Sequence, residues 1–233
     1  MSMFFIDPYR FDDGSDPYFA DVSLLVHCDG TVGSSSFSDS GPQGLPVNAG
    51  SVNARVSNTQ VKFDQSGVFS LSADSYLEVP VNTVTSNINF GATAWTVECF
   101  FYETTGSQSG LFGKQSNANV ESAIFTFTFY CPFNGNLVGT TALIWAAPSQ
   151  NAWHHLAVCR DGVNLYAFID GVLMDSRNDI TYIAFSSTYL NIGQSSQSRT
   201  QPFVGYMDEI RWTDGVCRYN ADFAPPTEPF PNY

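Results

Sequence analysis

Residues 95–102 read WTVECFFY, and their spacing decides the fold. Trp95, Val97, Cys99 and Phe101 fall on one side of an extended chain, with Thr96 and Glu98 on the other. An apolar residue at every second position marks a half-buried β-strand, because successive side chains of a strand alternate between its faces. Upstream of this point VSLLVHC at 22–28 reads as a buried strand, and in residues 76–81 Leu77, Val79 and Val81 share a face. Downstream, AIFTFTF at 123–129 is expected to form one strand, with Phe125, Phe127 and Phe129 facing away from Ile124, Thr126 and Thr128. WHHLAVCR at 153–160 and LYAFI at 165–169 follow, with Asp161-Gly162 between them. Asp170-Gly171, set between Ile169 and Val172, predicts a tight hairpin, since the favoured two-residue loop needs positive φ. No segment carries a comparable helical stripe. Many short strands without helices between them give an all-β, two-sheet antiparallel sandwich or jelly roll.

Composition agrees. A chain of 233 residues fits one β-sandwich with a two-layer core. Aromatics make up 15% and charged residues only 13%, the profile of a globular β protein. The net charge of −13, from 22 acids against 9 Lys plus Arg, excludes nucleic acid as a ligand, because phosphate backbones are held by clustered cations. It also argues against an anionic membrane surface. Acidity fits solubility first, and otherwise cation uptake or a basic partner. Five cysteines, at 28, 99, 131, 159 and 217, are an odd and unclustered set, which reads as free thiols and not as a disulfide framework or zinc site. That suits a reducing cytoplasm. The opening MSMFFIDPYRF lacks the pattern of a signal peptide, and no apolar run reaches membrane-spanning length, so a soluble chain without membrane insertion is expected.

Residues 1–20 stand apart from residues 21–233. In them Phe4, Phe5, Tyr9 and Phe11 are interleaved with acids and prolines, which oppose a regular element. Two readings stay open: an arm laid across its own domain, or an aromatic arm docked on a neighbouring subunit. The closing ADFAPPTEPFPNY is too proline-rich for a helix or central strand and reads as an extended tail over the sandwich.

Several stretches also read together: LLVHCDG at 24–30, SYLEVP at 75–80, WTVECFFY at 95–102, WHHLAVCRDG at 153–162, LYAFIDG at 165–171 and FVGYMDEIRWTDGVCRYNADFAPPTEPF at 203–230. In this order they resemble the laminin-G-like branch of the concanavalin A-like lectin/glucanase superfamily, and especially the versions in tailed-bacteriophage virion proteins. The resemblance covers nearly everything from residue 21 to 230. It implies a jelly roll of two curved antiparallel sheets. It further implies a non-enzymatic virion protein, capsid-decorating or tail-attached, folded in the host cytoplasm and held by other virion proteins in a homo-oligomeric or symmetric assembly. A carbohydrate-binding lectin or receptor-binding module is the alternative. The fold itself hosts all of these.

Glycosidases need two carboxylates across the scissile bond, and the E-x-D-x-x-E pattern of the glucanase branch is missing. Asp208 and Glu209 are adjacent and on a regular strand face opposite sides. A structural role inside the final strand is expected for Asp208. His154 and His155 likewise face apart, so they share no metal. No catalytic residue and no metal ligand is therefore assigned. No cofactor is expected, although the resemblance leaves calcium open at the loop acids Asp29, Asp39 and Asp64, whose spacing fits no loop signature. For a surface glycan, Tyr130, Phe133, Asn134 and Trp145 cluster around one loop as a candidate aromatic platform, against the alternative that Trp145, within ALIWAA, packs in the core.

Overall fold

The computed structural model describes residues 14–51, 53–63, 67–70, 75–81, 88, 90–106, 109–116, 120–131, 140–178, 189–195 and 201–233. Among these, one short 3-10 turn, Phe19–Asp21, precedes sixteen strands. The first eight are β1 Val22–Val26, β2 Ser36–Ser38, β3 Pro46–Ala49, β4 Arg55–Ser57, β5 Gly67–Ser70, β6 Leu77–Pro80, β7 Ala94–Glu103 and β8 Gly110–Ser116. The rest are β9 Val120–Phe125, β10 Thr128–Cys131, β11 Thr140–Ile144, β12 Trp153–Asp161, β13 Leu165–Ile169, β14 Val172–Arg177, β15 Tyr189–Ile192 and β16 Gly205–Asp214. They form two antiparallel sheets. The first runs β14-β13-β12-β7-β16-β5-β4, with β1 also beside β16; the second runs β11-β10-β9-β8-β15-β6-β3-β2. The described residues thus form an all-β jelly-roll sandwich of two antiparallel sheets.

The alternation read in residues 95–102 sets which face meets the other sheet. Trp95, Val97, Cys99 and Phe101 join the core, where Trp95, Phe90, Phe129 and Trp212 pack ring to ring at centroid distances of 4.8–6.2 Å. Burying four such rings supplies much of the apolar area that holds the sheets together. The hairpin at Asp170-Gly171 is present, with φ of 51° and 77° and Ile169 paired to Val172.

Residues 123–129 do not form one strand. The chain turns at Thr126–Phe127, so that Ile124 pairs with Phe129 and both enter the core, whereas Phe125 lies outside that core. The turn is fixed from outside itself. Thr126 N–H donates to Ser109 O, and the backbone and indole N–H of Trp145 donate to Phe127 O and Thr126 O, at 3.0 Å each. Those long-range bonds satisfy the turn's polar groups, and period-two spacing cannot reveal them.

The face of the first sheet that points away from the core is also covered. Residues 216–233 run over it as a tail, placing Tyr219 and Phe230 on the sheet, and Asp16 N–H donates to Tyr233 O at 3.0 Å.

Candidate functional site

Charge concentrates beneath that tail. Glu98 on β7, Arg211 on β16 and His155 on β12 meet Asp16, Arg218 and Tyr219 from the terminal segments, all of them buried. The Glu98 carboxylate receives Arg211 Nε and Nη2 at 3.0 and 2.8 Å, and Tyr219 Oη at 2.9 Å. Asp16 receives both Arg218 Nη1 and Nη2 and also Arg211 Nη1, at 2.8–3.0 Å. Burial opposes ionisation of Glu98, but Arg211, His155 and Arg218 together hold its carboxyl well below the usual range. Every charge is matched and sealed from solvent, so the cluster clamps the termini and offers no ligand site.

The adjacent acids of β16 depart from the expected alternation. Glu209 has φ of 49°, and the register shifts between Asp208 and Arg211. This bulge turns both carboxylates toward the tail side: Asp208 pairs with Phe100, and Glu209 bonds His27 Nδ1 and Phe230 N–H at 2.7 Å each. Both are at most 2% exposed. Asp208 receives the backbone N–H groups of Phe63 and Glu209, and no cation pairs with it among the described residues. Burial, then the neighbouring Glu209, pushes its carboxyl up to about 8. A raised folded value means that this group's contribution is fully present below the unfolded value near 3.8 and is lost as pH rises toward 8. Asp208→Asn is therefore expected to stabilise the protein by at least about 2 kcal/mol at pH 8 and hardly at all at pH 4, read from urea unfolding at the two pH values. A gain independent of pH would refute that origin.

His154 and His155 do part, as alternation requires. His154 Nδ1 meets Asp170 Oδ2 at 2.7 Å, while His155 lies buried against Glu98. Among the described residues no group of His, Cys, Asp and Glu is arranged to hold a metal. Asp39 instead organises its loop, accepting the N–H groups of Leu25, Gly41 and Leu45 at 2.7–2.8 Å. Asp29 is exposed, and Asp64 lies outside the described residues.

A second concentration of polar groups lies on the outer side of the second sheet. Leu190, Ile192, Leu77, Val79, Val47 and Phe37 all enter the core. Their neighbours Tyr189, Asn191, Glu78, Pro80, Asn48 and Ser36 must then face outward. Strand pairing joins these positions into one row across the sheet: Thr141, Tyr130, Ala123, Gly113, Asn191, Glu78, Asn48, Ser36. Asn48 and Ser36 are exposed and Glu78 and Tyr189 half-buried. At the centre, residues 193–195 cross over β8. Gly193 N–H donates to Leu111 O and Phe203 N–H to Gly193 O, both at 2.8 Å, and Gly113 lies directly under the Ser195 carbonyl. Asn191, Gln194 and Ser195 are each 1% exposed, and neither amide nor the Ser195 hydroxyl has a hydrogen-bond partner. Unpaired buried polar groups are costly, and of the ten such atoms among the described residues five fall on these three side chains, the others being scattered singly.

Of the residues singled out from the sequence, Tyr130 occupies this row in β10. Trp145 is 6% exposed and packed in the core, away from any ligand face. Phe133 and Asn134, and the arm residues Phe4, Phe5, Tyr9 and Phe11, lie outside the described residues. Tyr189, Asn191 and Glu78 were missed. The alternation of TYLNI at 188–192 carries the signal, with polar Tyr189 and Asn191 flanking apolar Leu190.

A laminin-G family model, described as Concanavalin A-like lectin/glucanases superfamily, matches residues 71–218. No curated protein sequence matches the chain. Among solved structures, domain 4 of AbnA, a GH43 extracellular arabinanase from Geobacillus stearothermophilus in complex with arabinotriose, is similar at a TM-score of 0.61 and 13% identity, covering 84% of this chain and 94% of that one. The binding domain of Paraclostridial Mosquitocidal Protein 1 matches at 0.61 and 11%, over 84% of this chain and 49% of its own. The botulinum neurotoxin serotype D ligand binding domain, in complex with N-acetylneuraminic acid, matches at 0.57 and 10%, over 89% and 50%. The chain thus spans about half the length of the toxin domains it matches. At these identities the likeness is one of fold.

Proposed function

Because the chain belongs to the concanavalin A-like lectin/glucanase superfamily, we propose that it is a non-enzymatic binding module whose second-sheet outer face takes a neutral, extended glycan. The observation that carries this is the row of polar side chains with Asn191, Gln194 and Ser195 buried and unpartnered at its centre. Amide and hydroxyl groups both donate and accept, which suits the hydroxyls of a sugar. Tyr189, half-buried two residues from Asn191, supplies an apolar ring face beside them. The row runs the width of the sheet, so it fits a linear chain better than one compact ring. Glu78 in the row and a net charge of −13 disfavour an acidic sugar. The one carboxylate among the row positions named above is Glu78, whereas glycoside hydrolysis uses a pair, and this supports the non-enzymatic reading. The arabinotriose complex of a similarly folded domain supports the reading.

Titration calorimetry against a panel of neutral oligosaccharides tests it. Saturable binding is expected, weakened about tenfold or more in both Tyr189→Ala and Asn191→Ala. Absence of binding across the panel, or binding indifferent to both changes, overturns the proposal.

A second reading places the module on a tailed-phage particle as a decorating or tail-attached protein with symmetric partners. Its support is the sequence resemblance, together with the anchoring of residue 16 beside Tyr233, which gives the aromatic residues 1–13 a fixed root on the domain. Deleting residues 1–13 is expected to leave the unfolding midpoint nearly unchanged while abolishing attachment to particles. Normal incorporation would exclude the docking role. A deletion through residue 20 is a different experiment, because it removes Asp16 from between two buried guanidiniums.

A further inference from the structure

We propose that Cys159 and Cys217 form a redox-sensitive staple, closing to a disulfide that ties the tail to β12 of the first sheet. Cys159 lies on the tail side of β12 in a buried cluster with Ala157, Phe168 and Tyr219, and Cys217 packs against that same cluster from the tail. Thr96 fixes the approach. Its hydroxyl lies 3.5 Å from Cys159 Sγ, donates to Val216 O at 2.9 Å and receives Arg218 N–H at 2.9 Å, so the residues on either side of Cys217 are tied to the atom beside Cys159. The Cys217 thiol donates to Tyr219 O at 3.3 Å, which holds it on the tail side of the cluster that contains Cys159.

The pair is asymmetric in the way stepwise exchange requires. Cys217 is half-buried, so a small oxidant reaches it, whereas Cys159 is fully buried. The neighbouring Cys159 lowers the Cys217 thiol below its ordinary value, and burial raises Cys159 well above. Thiolate is the attacking form, so Cys217 reacts first. With a small-molecule disulfide such as oxidised glutathione as the oxidant, Cys217 loses its proton and attacks one sulfur. One glutathione thiolate leaves, and a mixed disulfide forms. Cys159 then loses its proton and attacks the Cys217 sulfur, expelling the second glutathione thiolate. The balance is two protein thiols and one disulfide in, one protein disulfide and two glutathione thiols out.

What the staple would hold is the cover of the charge cluster. Tyr219, which donates to Glu98, and Phe230, which lies under Arg211, belong to the tail just beyond Cys217. Closing the chain between residues 159 and 217 restricts the unfolded ensemble and keeps the tail seated.

The test is intact-mass spectrometry and peptide mapping of the native full chain incubated with oxidised glutathione. Expected are the loss of two hydrogens, a cross-linked peptide pair joining Cys159 to Cys217, and a rise in thermal midpoint of about 5–10 °C that dithiothreitol reverses. In Cys159→Ser, a glutathione adduct should persist on Cys217, and in Cys217→Ser no link should form. A wild-type adduct on Cys217 that never resolves, a link through Cys28, Cys99 or Cys131 instead, or no reaction in the native state overturns the proposal. The wild-type map decides even if a serine variant fails to fold.

Discussion

Replacing Glu98 by alanine is expected to remove about 3–5 kcal/mol of folding stability, a large share of what a domain of this kind possesses. Two guanidiniums, Arg211 and Arg218, lie within 4% exposure, and two carboxylates, Glu98 and Asp16, neutralise them. Removing one carboxylate leaves a buried cation unmatched, and it also strips Tyr219 of its acceptor and His155 of its neighbour. Water cannot replace these contacts while the tail stays in place. The relief available to the variant is to lift the tail, which exposes Phe230 and Tyr219. Urea unfolding followed by tryptophan fluorescence measures the loss. A change below about 1 kcal/mol would mean that the network is solvent-screened like a surface pair. The pH dependence gives a second check. Because the folded Glu98 is held well below its unfolded value of 4.5, its contribution is present above that pH and is lost as pH falls through the acid range below it. The wild type should therefore show an acid limb that the variant lacks.

This network also marks where sequence reading stops. Asp16, Glu98, Arg211 and Arg218 are ordinary charges in the chain, and nothing local says that four residues so far apart share one buried volume. Strands were legible because alternation is written into neighbouring residues, as in Trp95 to Phe101 and at the Asp170-Gly171 turn. The break at Thr126–Phe127 was not, because its cause is the distant Trp145 and Ser109. Nor was the bulge at Glu209, since a left-handed glutamate is an exception that its own sequence does not announce. The candidate site was half legible. Alternation at 188–192 puts Tyr189 and Asn191 on one face, but only the order β8-β15-β6-β3 brings Gly113, Asn191, Glu78 and Asn48 side by side. Non-consecutive strands leave no trace of such neighbours in the chain. Trp145 shows the converse error, since an aromatic near a loop is a platform only if it points out of the core.

Gly113→Ala is the change expected to separate the site from the sheet that carries it. A β-carbon at residue 113 would stand 1.8 Å from the Ser195 carbonyl oxygen and 2.2 Å from its carbon. Those are backbone atoms, so no side-chain rotation relieves the clash. Residues 193–195 must rise from β8, and the bonds from Gly193 to Leu111 and from Phe203 to Gly193 stretch with them. Overpacking of this kind costs about 3 kcal/mol. The core under the row is untouched, because Phe112 and Ile192 face the other way. The variant should thus remain folded, with a lowered unfolding midpoint, while the Gln194–Ser195 backbone that lies over Gly113, the strand partner of Asn191, is displaced. Glycan affinity is expected to fall at least about tenfold, comparable to the loss in Asn191→Ala, since both remove the same convergence of polar groups. If affinity survives while stability drops, the binding face lies elsewhere on the sandwich and the row is structural. If both hold at wild-type levels, residues 193–195 do not press on β8, and the geometry of the central site is wrong.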